Sequence, residues 1–194
     1  MEIVFASNNE HKLQEIRQIA GERFKVLSLA DIGCDADITE DGDTLEANAR
    51  IKARYVASRY GRDCFADDTG LEVEALDGAP GVHSARFAPG AGHDSAANTA
   101  LLLEKLEGKD NRRARFRTAI CLIMGGEEHM FEGIVDGEIT TAPAGKAGFG
   151  YDPVFRPDGW TATFADASAE EKNSVSHRRR ALDNMMKFLD EKID

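Results

Sequence analysis

Cysteine is scarce in this chain. The three residues, Cys34, Cys64 and Cys121, are odd in number, widely spaced and without a CxxC pair. That excludes a disulfide framework or a zinc site and suits a reduced cytoplasmic interior. Basic charge is also in deficit, with 24 Lys and Arg against 35 Asp and Glu and a net charge of -11. A general nucleic-acid coat needs a basic surface to displace counterions, and an anionic membrane needs one too, so neither is expected as a partner. Long apolar runs are missing: the longest, Ala119 to Met124, falls far short of the roughly 20 residues that span a bilayer. The start has no basic region, and its apolar run Ile3 to Ala6 stops at Ser7-Asn8-Asn9, which reads as a strand rather than a signal peptide. No repeat, low-complexity block or linker divides the sequence. Residues 1–194 are expected to form a single domain with two lobes around an active-site cleft.

Hydrophobic residues make up 42% and charged ones 30%, an ordinary globular mixture. After the first strand, Leu13, Ile16, Ile19 and Ala20 mark one face of a helix. Phe24 to Leu29 reads as a second strand. Asp43 with Glu46 resembles a capping box opening a helix whose stripe is Leu45, Ala49, Ala53, Val56 and Tyr60. Asn48 and Lys52 sit one turn apart on another edge of that helix. Cys64-Phe65-Ala66 reads as a strand running into Asp67-Asp68-Thr69-Gly70, after which Leu71, Val73 and Ala75 alternate with polar neighbours. Asp94 opens a helix with Thr99, Leu102, Leu103 and Leu106 inward. Residues 113–124 and 129–135 predict a hairpin turning at Gly125-Gly126. Ser168 with Glu171 caps a short helix, and Ser176 caps a last one with Leu182, Met185, Met186 and Leu189 inward. Helices mixed with crossover and hairpin strands indicate an α/β fold around a central mixed sheet.

Four constellations carry chemistry. Ser7-Asn8-Asn9-Glu10-His11-Lys12 joins a strand to a helix; exposed N–H groups, short polar side chains and a lysine suit phosphate, although an Asn acting only as a helix cap gives the same pattern. Adjacent Asp67 and Asp68 repel one another and call for a cation or a proton, or else they form an exposed turn. At a strand end they suit Mg²⁺, with Glu40 and Asp41, just before the second helix, as a further ligand or as loop decoration. Gly145 to Pro153 surrounds Phe149, Tyr151 and Asp152 with glycines, giving a stacking surface and an acceptor, or a tight loop anchored by its aromatics. Lys172 and Ser176-His177-Arg178-Arg179-Arg180 bring directed donors to a helix start, where cations oppose the macrodipole and need another partner. Arg113, Arg115 and Arg117 alternate as a solvated or subunit-contacting face. His83, His93 and His129 lack ligand spacing, and Trp160 anchors a turn.

Taken in order, SNNEHK, E-D-G-x-T-x-x-x-N-A-x-x-K-A, FADDTGLEVEALDGAPGVHSAR, PAGKAGFGYDPVF and EEKNSVSHRRRAL resemble the inosine triphosphate pyrophosphatase family over nearly the whole chain. The resemblance implies an elongated α/β fold, two lobes flanking the sheet, a homodimer, and Mg²⁺-dependent hydrolysis of ITP, dITP and XTP to the monophosphate and pyrophosphate. By similarity, Ser7 to Lys12 hold the triphosphate, with Asn9 and Lys12 the main contacts and Lys52 joining them. Glu40 and Asp68 position the metal with support from Asp67, and Asp68 accepts the proton of the attacking water. Thr69 contacts substrate. Phe149 stacks on the base, Gly150, Tyr151 and Asp152 complete that wall, and Lys172, His177 and Arg178 read the purine edge. Thr69 replaces the usual serine, and Asn8 stands where glycine is commoner. The alternatives are a septum-inhibitor-type pyrophosphatase for modified pyrimidine or methylated nucleotides, and a non-catalytic nucleotide-binding protein.

Overall fold

A computed structural model of the chain describes residues 1–193. Its strands are β1 (Glu2–Phe5), β2 (Lys25–Leu27), β3 (Cys64–Val73), β4 (Pro80–Gly81), β5 (Arg113–Met124), β6 (Glu127–Ile139) and β7 (Phe155–Pro157). They form one seven-stranded sheet in the order β2-β1-β3-β5-β6-β7, with β4 paired to β3. β1 runs parallel to β2 and β3, whereas β3/β4 and β6/β7 are antiparallel, so the sheet is mixed and the fold is α/β, as expected. The helices are α1 (Glu10–Ala20), α2 (Leu45–Tyr60), α3 (Ser95–Lys105), α4 (Ala169–Val175) and α5 (His177–Ile193).

The chain gathers into two compact units. The first contains Met1–Asp68, Thr118–Gly133 and the chain from Arg178 on; the second contains Thr69–Arg117 and Ile134–His177.

In the first unit the period of two along each strand sorts side chains into two cores. Ile3, Phe5, Phe65, Ile120 and Leu122 pack with Leu13 and Ile16 of α1 and Leu182, Met185 and Leu189 of α5. Val4, Ala6, Cys64, Ala66 and Cys121 pack with Ala49, Ala53 and Val56 of α2. Each fully buried Leu, Ile or Phe contributes roughly 1.5–3 kcal/mol relative to exposure. The cysteines are buried thiols that act as small apolar residues. Burial pushes Cys64 and Cys121 up to about 12, which leaves them without thiolate character. In the second unit Leu102 of α3 and Leu106 just beyond its end pack on Leu71, Val73, Phe116, Val135, Ile139 and Phe155. Phe116 and Phe155 meet at 4.5 Å and 60°.

Local signals explain most boundaries. Asn9 caps α1 by accepting the Lys12 N–H, Asp94 caps α3, and Ser168 with Glu171 forms the expected capping box on α4. Gly125 and Gly126 both have positive φ (58° and 83°), the pair of left-handed residues that a two-residue hairpin turn requires.

Other expectations are corrected. The cap of α2 is Thr44 rather than Asp43: its extended backbone lets Oγ1 accept the Ala47 N–H at 3.1 Å. The strand expected over Phe24 to Leu29 is cut to Lys25–Leu27, because the Ser28 and Asp31 side chains cap each other's N–H groups and start a tight turn. Asp67-Asp68-Thr69-Gly70 is not a strand end; it lies inside β3, which continues to Val73 and then turns at Glu74–Leu76, taking Ala75 out of the strand.

Candidate active site

The first unit brings charged residues from three helices onto β3. Lys12 Nζ donates to Asp67 Oδ1 at 3.1 Å, and Arg178 Nε donates to Asp67 Oδ2 at 3.2 Å. The Arg178 guanidinium also pairs with Glu15. Lys52 Nζ reaches the Asp67 backbone carbonyl at 2.6 Å and Glu40 Oε1 at 2.5 Å. Asp68, the next residue along the pleat, accepts a hydrogen bond from Asn48 Nδ2 at 3.0 Å, while Asn48 Oδ1 accepts the Gly42 N–H at 2.8 Å. The loop before α1 is ordered by its own side chains: Ser7 Oγ accepts the Asn9 N–H and Asn8 Nδ2 donates to the Ala36 carbonyl. Asn8, Asn9, Glu10 and His11 stay exposed at the helix start, where N–H groups suit an anion.

Burial and charge compete in this cluster. Burial alone would raise Asp67, but Lys12, Arg178 and Lys52 outweigh it and hold the carboxyl well below the usual range. Burial lowers Lys12, with Asp67 opposing. Burial also acts to lower Lys52, yet Asp67, Glu40 and Asp68 together leave it raised. Asp68 is raised, chiefly by burial and further by the charge of Glu40, with Lys12, Lys52 and Asn48 pulling the other way. The two neighbouring carboxyls are thus driven in opposite directions, a pattern that separates a fixed anion from a proton acceptor.

Among the described residues no group of three or more His, Cys, Asp or Glu side chains is arranged to hold a metal ion. Glu40 and Asp68 nevertheless form a hard-oxygen pair whose charges repel. Such a pair fits Mg²⁺, which is commonly held by one or two carboxylates with substrate phosphates completing its shell. Depressions of about 560 and 340 Å³ elsewhere on this unit, one beside Arg17 and Phe24 and one beside Tyr60 and Arg62, contain none of these residues.

The second unit has its own polar cluster. Lys172 Nζ lies 2.6 Å from Asp152 Oδ2 and 4.8 Å from the centroid of the Phe149 ring. The Phe149 N–H donates to the same Asp152 oxygen at 3.0 Å. A side chain at Gly148, which has a φ of +71°, would strike that oxygen, so glycine is required there. The Tyr151 hydroxyl donates to the Ser84 carbonyl at 2.7 Å, and burial holds it above its usual range. His177 stacks on Phe116 with centroids 4.6 Å apart. The result is an aromatic wall with a buried ion pair at its edge, which suits a flat heteroaromatic ring with polar edges.

A profile of the Ham1 family matches residues 3–188. The chain belongs to the Ham1 family. It is 50% identical over 189 residues to a protein from Flavobacterium psychrophilum named dITP/XTP pyrophosphatase, covering 97% of this chain and 99% of that one. A protein of the same name from Porphyromonas gingivalis is 51% identical over 188 residues, covering 96% of each. Among solved structures, the Staphylococcus aureus Ham1 protein superposes with a TM-score of 0.88 at 38% identity over 99% of this chain and 100% of that one. A Mycobacterium abscessus structure described as nucleoside-triphosphatase / dITP/XTP pyrophosphatase gives 0.77 at 44% identity, covering 95% and 98%. These names agree with the family that the motifs resemble.

In this Ham1-family chain, Lys12, Lys52, Glu40, Asp67 and Asp68 come together in the first unit. Phe149, Asp152 and Lys172 come together in the second, with Tyr151 anchored beside them and Gly150 in the same loop. The sequence grouped Lys172, His177 and Arg178, but their contacts differ. Lys172 serves Asp152, His177 stacks on Phe116, and Arg178 bonds Asp67 and Glu15. Successive residues at a helix start point about 100° apart, which sends His177 and Arg178 different ways. Thr69 follows Asp68 on β3, half-buried.

Sequence reasoning missed Asn48, Glu15 and Gly42 as parts of the first cluster, and Phe116 and Phe164 as parts of the aromatic wall. Helical spacing held a signal for two of them: Glu15 lies three residues after Lys12, and Asn48 four before Lys52. Among the described residues no helix is long and apolar enough to cross a membrane.

Proposed function

We propose that this chain hydrolyses deaminated purine nucleoside triphosphates (dITP, ITP and XTP) to the monophosphate and pyrophosphate, with Mg²⁺ as cofactor. The observation that carries the reading is the set of three cations, Lys12, Lys52 and Arg178, packed around β3 beside Asp68 in a chain of net charge -11. An acidic protein accepts a polyphosphate only where its few cations are concentrated. Family membership and the names of the relatives support the same substrate class.

In this reading the exposed start of α1, with Ser7, Asn8, Asn9, Glu10 and His11, receives the phosphate chain, and Lys12 and Lys52 offset its charge. Glu40 and Asp68 hold the metal, with Asp67 beside them; the ion supplies charge neutralisation at the phosphate oxygens. Asp68 takes the proton of a water attacking the α-phosphorus in line. The bond from that phosphorus to the bridging oxygen breaks, and pyrophosphate leaves with the electron pair. Burial raises the proton affinity of Asp68 and so favours this role. Thr69 touches the substrate next to Asp68.

The base stacks on Phe149 against the wall of Gly150, Tyr151 and Asp152, with Lys172 and His177 supplying donors. Arg178, which the sequence grouped with them, is held at Asp67 and Glu15 and serves the phosphate end. Hypoxanthine and xanthine present an acceptor carbonyl at C6 and adenine a donor amine, so donors at that edge favour the former. The working unit is one catalytic domain, residues 1–194, acting as a cytoplasmic homodimer; sedimentation analysis at micromolar protein tests the dimer.

The test is a comparison of kcat/KM for ITP, dITP and XTP against ATP, GTP and dUTP. The deaminated purines are expected to exceed ATP by at least about a hundredfold, the scale of a mismatched buried donor. Equal values across the panel would remove the assignment.

A further inference from the structure

Asp67 is fully buried in the middle of β3, yet cations from three different helices touch it. Lys12 of α1 bonds Oδ1 at 3.1 Å, Arg178 of α5 bonds Oδ2 at 3.2 Å, and Lys52 of α2 bonds the backbone carbonyl at 2.6 Å. Arg178, only 1% exposed, is held from its other side by Glu15. Asp68 keeps different company: the pleat turns its side chain the other way, and its Oδ2 receives the neutral amide of Asn48 at 3.0 Å. Asp67 thus has a cation bonded to each carboxylate oxygen, whereas Asp68 accepts from an amide and feels the charges of Lys12 and Lys52 beside it.

We propose that Asp67 is a positioning residue that fixes Lys12, Lys52 and Arg178 into a cationic cradle for the phosphate chain, and that the metal ion is held by Glu40 and Asp68 without it. Long basic side chains lose conformational freedom when ordered, and a fully buried carboxylate with good geometry is the group that keeps them in place before substrate arrives. Donors fixed in advance need no reorganisation when charge develops in the transition state. A carboxylate oxygen already shared with an ammonium or a guanidinium is also a poorer metal donor than one facing an amide. This inference rests on the triphosphate hydrolysis proposed above and assigns Asp67 within it.

The test uses Asp67→Asn, which keeps the shape and removes the charge, with Asp68→Asn in parallel. Mn²⁺ is the probe of the divalent site, titrated without nucleotide and followed by the EPR signal of the free ion. Asp67→Asn is expected to hold Mn²⁺ within about twofold of the parent while kcat for ITP falls at least roughly tenfold. Asp68→Asn is expected to lose Mn²⁺ affinity by about tenfold or more. On a Lys12→Met background, Asp67→Asn is expected to lower kcat by less than about threefold, because one of its partners is already gone. A tenfold loss of Mn²⁺ affinity in Asp67→Asn, an unchanged kcat, or full additivity with Lys12→Met would each overturn the assignment. If Asp67→Asn alone does not fold, the charge-balanced Lys12→Met/Asp67→Asn protein, compared with Lys12→Met, carries the same Mn²⁺ measurement. Parent protein inert toward ITP would defeat the proposed function instead, and the Mn²⁺ comparison would still decide the role of Asp67.

Discussion

Lys172 Nζ and Asp152 Oδ2 lie 2.6 Å apart with both side chains only 4% exposed. Removing one partner of such a pair strands the other charge away from water. Asp152→Ala is expected to cost about 3–5 kcal/mol in urea unfolding, whereas Asp152→Ala/Lys172→Met recovers most of that. A loss below about 1 kcal/mol for the single variant would mean that the pair behaves as a solvated one.

Asn48 orients Asp68 with its amide nitrogen and holds the Gly42 N–H with its oxygen. Asn48→Ala is expected to lower kcat by about tenfold, equivalent to ~1.4 kcal/mol in the barrier, and stability by about 1–3 kcal/mol through the N–H left unpaired. Gly42→Ala should act in the same direction, since its Cβ would come within 2.7 Å of Asn48 Oδ1. Wild-type kcat in both variants would show that Asp68 needs no such support.

Asp68 must be ionised to accept a proton, and its folded value lies above the ordinary 3.8. The acid limb of kcat/KM is therefore expected above the usual aspartate range, moving down as Mg²⁺ is raised because a bound cation favours the anion. Asp68→Asn should keep its melting temperature and lose about a hundredfold or more in kcat. Stopped assays from pH 4 to 9 on both proteins check this; near-normal turnover in Asp68→Asn removes it from the role.

Asp67 has the opposite sign. Its folded value is depressed below the ordinary 3.8, so its contribution to stability is present above the unfolded value and is lost as pH falls from there toward the folded one. The stability gap between parent and Asp67→Asn, read from denaturant melts, should be constant from pH 6 to 8 and shrink below about pH 4. A gap that grows on acidification would contradict the ion-pair reading.

Periodic segments were the legible part of this fold. The stripe Leu182, Met185, Met186 and Leu189 follows from packing against one face and the unbroken apolar run Ile3 to Ala6 from packing against two, and both appear in the cores. Short elements were not legible: β4 and β7 hold two and three residues and exist only because long strands lie beside them. The site was legible in its residue types and hidden in its pairings. Nothing in Ser176-His177-Arg178 says that Arg178 turns to Asp67 while His177 stacks on Phe116; that is decided by distant chain segments. Glu15 reads as an ordinary helix-surface residue until Arg178 is seen beside it.

The most direct measurement is the product balance from ITP with and without Mg²⁺. Anion-exchange chromatography would quantify IMP, IDP, pyrophosphate and orthophosphate as turnover proceeds. One IMP and one pyrophosphate per ITP, with no IDP and no reaction after chelation of the metal, is the expected result. Release of orthophosphate with IDP, or equal turnover in excess EDTA, would contradict the account.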